Sequence, residues 1–234
     1  MDADRVAALR EMLDHTPWWA QANGLAAVVR RTPGPGHLLL VGTPRVEPWH
    51  LAAHLDDESR TSGQGQLSPQ LVRWRPPTGA APHLSIGMSR LENVSRGETV
   101  FVVAPDDAPD PLLERVDGAR RTGATVVALD TGDDRLGGLA HERMTVSTSG
   151  LAIPAALDLT LESPADGDPD VPPDVLAGLH LPASFDLAQH FVSAAAGLDP
   201  TDRPGWRARL HQLLDLVSGP APAPDGGSSA YRRS

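Results

Sequence analysis

Two apolar runs flank one helix-patterned segment, and this arrangement limits what the chain can fold into. Residues 98–104 (ETVFVVA) and 125–129 (TVVAL) are short, continuous and rich in β-branched residues. Runs of that kind fit strands buried on both faces of a sheet. Between them, Leu112, Leu113, Val116 and Ala119 recur at helical spacing over residues 112–122, and Gly123 stands where a left-handed helix stop is expected. Strand, helix and strand joined in this way make a parallel pair with a right-handed crossover.

The rest of the chain extends the pattern. Residues 37–42 (HLLLVG) read as another buried strand, and residues 143–147 (RMTVS) as a short one. Residues 71–74 form a further candidate strand, broken by the Pro-rich stretch 75–82. Residues 47–57 read as a helix with Trp49, Leu51, Ala52 and Leu55 inward, followed by a polar loop over 58–69. Asp130–Asp134 reads as a loop and residues 136–141 as a short helix. Residues 3–30 form a helical region divided at Pro17, and of the adjacent Trp18 and Trp19 one is expected to be exposed. Helices are also expected over 185–197, N-capped by Ser184, and over 203–217, where Trp206 faces the core.

The expected fold is α/β: a three-layer sandwich with a mostly parallel sheet and helices on both faces. Residues 1–218 form one domain, with N-terminal helices over 3–30, a sheet core over 37–147 and C-terminal helices over 184–217. Residues 162–183 read as an extended loop, and residues 219–234 as a tail without a core-forming pattern.

Composition narrows the function. The formal charge is −10 and the basic residues, all Arg, are scattered, so nucleic acid is not an expected partner. The absence of cysteine removes disulfides, thiolate metal sites and cysteine nucleophiles. No apolar run approaches the roughly 18 residues of a membrane span, and no leader-like pattern opens the chain, so a cytoplasmic protein is expected.

The segments TVFVVAP, LLERVDGARRTGA, TVVALDT and RLGGLAHERMTV, over residues 99–146, together resemble a sugar isomerase (SIS) domain. The HLLLVGT strand and the helices at either end fit the same family. The resemblance implies a flavodoxin-like strand order, homodimers paired through helices, and a sugar-phosphate site at the carboxyl ends of the strands. In that family a hydroxyl-rich turn of Ser-x-Ser-Gly-x-Thr type runs into a helix N-terminus and cradles phosphate with backbone amides. Here the corresponding turn reads APDDAPDP, residues 104–111, with three carboxylates and three prolines. Ordinary sugar-phosphate binding is therefore expected to be lost. The expected function is that of a degenerate SIS-like binding or scaffold protein without isomerase activity. The alternative is a phosphosugar- or nucleotide-sugar-binding enzyme or sensor.

Candidate ligand-binding residues follow from this placement. Thr43 and Arg45 form the best surviving anion-binding pair, with pairing of Arg45 to Glu47 or an Asp as the plainer reading. Asp106, Asp107 and Asp110 have the oxygen ligands for a divalent cation, or else cap a helix, and together with Asp130, Asp133 and Asp134 after the next strand they suit a cationic, polyhydroxylated or metal-bearing ligand, with a capped short helix as the plainer reading. Ser149 lies in a Ser-Thr-Ser-Gly turn that imitates the phosphate signature after the wrong strand. His50 and His54 have the i, i+4 spacing of a chelating pair, but no third ligand is evident and His190 reads as a core or interface histidine. No metal and no cofactor is expected; the expected partners are a second copy, a sugar-like ligand or another protein.

Overall fold

The computed structural model describes residues 17–146, 151–152, 180–181 and 185–197. The expected helices over 3–16 and 203–217, residues 162–179 and 182–183 of the expected long loop, the tail, Ser149 and Ser184 lie outside the described residues; within that loop His180–Leu181 forms a short strand instead, because it pairs with Leu151–Ala152.

The chain runs α1 (Pro17–Arg30), β1 (Leu38–Gly42), α2 (Trp49–Ser62), β2 (Gln70–Val72), α3 (Ser89–Glu92), β3 (Thr99–Ala104), α4 (Asp110–Thr122), β4 (Thr125–Asp130), α5 (Asp134–Leu139), β5 (Glu142–Thr145), β6 (Leu151–Ala152), β7 (His180–Leu181) and α6 (Phe185–Gly197). Short 3-10 turns lie at Gly65–Leu67 and Pro82–Leu84. Strands β1 to β5 form one all-parallel sheet in the order β2-β1-β3-β4-β5. Strands β6 and β7 pair antiparallel apart from it.

Alternation along the strands divides the core into two. Leu38, Leu40, Phe101, Val103, Val127 and Leu129 face one side, covered by α1, α2 and α6. Leu39, Val41, Val100, Val102, Val126 and Ala128 face the other, covered by α4 and α5. Every residue of β1 and β3 is buried, which is why these strands read as continuous apolar runs. Gly123 ends α4 at φ 98° with its amide on the carbonyls of Ala119 and Arg120, a conformation that a Cβ would disfavour.

Several expectations are corrected. Trp49 is not a core residue: it is 42% exposed, its indole donates to Glu47 at 2.8 Å, and Arg73 stacks on it at 4.7 Å. The buried face of α2 carries Leu51 and Leu55, and a residue two positions before Leu51 points about 200° away at 100° per residue. Helix α2 also runs through the expected loop to Ser62, and Leu67 beyond it is buried. Helix α4 starts at Asp110, and α5 starts at Asp134 and ends at Leu139, because Asp133 accepts its first free amides. Strand β2 covers only Gln70–Val72 and β5 Glu142–Thr145. Neither Trp18 nor Trp19 is exposed; both set ring edges against Phe191 of α6, at 6.4 and 6.5 Å.

Candidate functional site

In an open parallel sheet, ligands bind outside the carboxyl ends of the strands where the strand order reverses. The order here places that point between β1 and β3, so the loops after Gly42 and Ala104 define the candidate crevice.

The loop after β1 is held tightly. Gly42 passes so close to the Val46 carbonyl that a Cβ would lie 2.0 Å from its oxygen. Its own carbonyl accepts the Trp74 indole at 2.8 Å. Thr43 is fully buried, and its hydroxyl donates to Asp106 Oδ1 at 2.6 Å. Arg45 is 84% exposed with its Nε 4.0 Å from Asp106 Oδ2. Glu47 turns to Arg73 instead, at 2.8 Å from Nη2.

The loop after β3 is closed by the loop after β4. The Ala108 amide donates to Asp133 Oδ2 at 2.9 Å. The other oxygen of Asp133 accepts the amides of Arg135 and Leu136 at 2.9 and 3.2 Å and so caps α5. Burial pushes the Asp133 carboxyl up, but these three amides and the nearby Arg135 outweigh it and hold the group below the usual Asp value. The Leu112 amide is taken by the Pro109 carbonyl at 2.9 Å. Asp110 pairs with Arg135, and Asp107 is exposed.

Asp130, the last residue of β4, is held inside the protein. Its side chain is fully buried and takes two hydrogen bonds from Arg143, at 2.7 and 2.8 Å, plus the Gly132 amide at 2.6 Å. The hydrogen bond to Asp130 holds the Arg143 guanidinium above its ordinary pKa, against burial. Arg143 also donates to the Asp133 carbonyl at 2.8 Å, linking β5 to the same loop. Sequence reasoning missed Arg143. No local pattern marks it: the register that pairs Ala128 with Arg143 and Asp130 with Thr145 puts Asp130 and Arg143 on one sheet face.

The structure thus brings Thr43, Arg45, Asp106, Asp107 and Asp130 to one sheet edge, with Thr43, Asp106 and Asp130 already engaged by the protein's own groups. It also brings His190 onto His50 and His54. Among the described residues, no helix is long and apolar enough to cross a membrane.

No family model matches the sequence, and no curated protein matches it. The chain is similar to solved structures of sugar isomerase-type proteins. An assigned phosphosugar isomerase from Silicibacter pomeroyi DSS-3 aligns at 14% identity and a TM-score of 0.49, over 91% of this chain and 53% of that one. This chain therefore spans about half of that protein's length. The sugar isomerase domain of an RpiR transcription factor from Sphaerobacter thermophilus aligns at 13% identity and 0.45, over 92% and 94% of the two chains. The Vibrio vulnificus NanR protein, solved with ManNAc-6P, aligns at 12% identity and 0.43, over 90% and 68%.

Proposed function

We propose that this chain is a SIS-like binding or scaffold protein whose loop after β3 does not take a phosphate and which has no isomerase activity. One observation carries the reading: the Ala108 amide, in the loop where a phosphate would be cradled, donates to the carboxylate of Asp133. An incoming phosphate would have to displace that carboxylate and would meet Asp106, Asp107 and Asp110 beside it. Charge repulsion and the lost hydrogen bond both oppose it. In this reading the protein works in the cytoplasm as a homodimer, and analytical ultracentrifugation of the full chain tests the pairing.

The direct test is a thermal-shift series with sugar phosphates at low salt. No stabilisation is expected for the parent protein. A rise of several degrees with any phosphosugar overturns the proposal.

A second reading rests on Arg45. It stands exposed at the switch point and only loosely paired to Asp106, as a guanidinium that receives an anionic sugar or nucleotide-sugar would. A ligand-induced shift that Arg45→Ala abolishes would establish that reading in place of the first.

A further inference from the structure

Helix α2 places His50 and His54 one turn apart on one face. Helix α6 packs across that face and is keyed to it by Gln189, whose Oε1 accepts the Leu51 amide at 3.3 Å. That contact serves one of the free amides in the first turn of α2, where Pro48 offers no capping side chain. The next residue on α6, His190, is 6% exposed, and its Nε2 lies 2.9 Å from His50 Nε2. The ring centroids of His54 and His190 are 4.3 Å apart, and those of His50 and His54 are 4.7 Å apart. One nitrogen from each ring falls within 4.8 Å of the other two.

We infer that His50, His54 and His190 form a three-histidine site for a single divalent transition-metal ion, with Zn²⁺ the best match. Imidazole nitrogen suits zinc, and three histidines with one open position form a tetrahedral set completed by water. Zn–N bonds of about 2.0–2.1 Å in that geometry put ligand nitrogens about 3.3 Å apart. The present nitrogens bracket that spacing, from 2.9 Å to at most 4.8 Å, so ring rotations suffice. Between neutral rings the 2.9 Å contact is one N–H···N hydrogen bond, and moving that proton to Nδ1 presents both Nε2 lone pairs to an ion. His50 and His54 are partly exposed, leaving a way in from solvent. Because the ligands come from α2 and α6, the ion would clamp two helices that cover the same face of the sheet.

The test uses the full chain, stripped with a chelator, dialysed, and titrated with Zn²⁺ by calorimetry and with Co²⁺ by visible absorption. One equivalent of Zn²⁺ is expected, with Co²⁺ developing intense tetrahedral d–d bands and Zn²⁺ raising the melting temperature. His54→Ala and His50→Ala, on the solvated side, are expected to weaken binding by more than the roughly 10–100-fold that outer-shell changes cost. His83→Ala, at an exposed position in a separate turn, is expected to leave it unchanged. Circular dichroism confirms that each variant folds. Absence of binding to the parent, or equal binding by the parent and the His54→Ala variant, overturns the inference. Sugar phosphates play no part in this experiment, so its outcome is independent of the phosphate reading above.

Discussion

The buried hydroxyl of Thr43 donates to the Asp106 carboxylate at 2.6 Å, tying the loop after β1 to the loop after β3 where the strand order reverses. Thr43→Val keeps the shape of the side chain and removes this bond. Asp106 keeps 31% of its side-chain exposure, so water can replace the lost donor. The expected loss is about 1 kcal/mol in urea unfolding, with an unchanged m-value. A loss of several kcal/mol would show that the link holds more than the two loops.

Removing Arg143 leaves the Asp130 carboxylate buried with the Gly132 amide as its remaining side-chain contact given by the fold. Arg143→Ala is expected to cost about 3–5 kcal/mol. Adding Asp130→Asn to it should recover part of that loss, because the orphaned charge is gone. Equilibrium unfolding of the two single variants and the double variant measures the coupling, and strict additivity would contradict the pairing described.

Glycine substitutions should have opposite signs at two places. At Gly42 a Cβ would meet Val46 O at 2.0 Å and Pro48 Cδ at 2.8 Å, both held by the loop. Gly42→Ala is expected to cost about 3 kcal/mol or to prevent folding. At Gly118, inside α4, nothing lies within 4 Å of the added atom. Gly118→Ala should therefore stabilise the protein by about 0.5–1 kcal/mol. Melting temperatures of the two variants provide the comparison.

Acid should weaken the fold through Asp133 and Glu98. Burial raises both carboxyl pKa values. At Glu98 the Arg90 side chain, the Ser95 amide and His37 outweigh it, as the three amides and Arg135 do at Asp133. Both folded values therefore lie below the unfolded ones, about 4.3 and 3.9. Their contribution is fully present above the unfolded values and is lost as pH falls through the folded ones. Urea unfolding at pH 5, 4 and 3 should show falling stability, and Glu98→Gln should flatten the decline. Asp133→Asn should flatten it too. An Asn Nδ2 facing the Ala108 amide would also break the link between the loops, so this variant starts from lower stability at pH 5.

The fold was legible because its signals are local. The apolar runs over 98–104 and 125–129 reappear as β3 and β4, and Leu112, Leu113, Val116 and Ala119 as the buried face of α4. Gly123 ends that helix as its lack of a side chain allows. Helix α6 occupies the expected residues, Phe185–Gly197. Boundaries moved where a neighbour intervened, as when Asp133 opened α5 earlier than its apolar residues suggest.

The candidate sites depend on contacts between residues distant in the chain. Asp106, Asp130 and Asp133 were recognisable as carboxylates at strand ends, but the strand order and loop packing decide that Thr43, Arg143 and the Ala108 amide engage them. His50 and His54 were visible as a pair, while His190 reaches them from 140 residues beyond His50. Periodicity specifies which face of an element is buried, and so the chain by itself determined its sheet and helices. Which side chains meet across two packed elements depends on their relative placement, which no local pattern carries, and that only the tertiary structure decided.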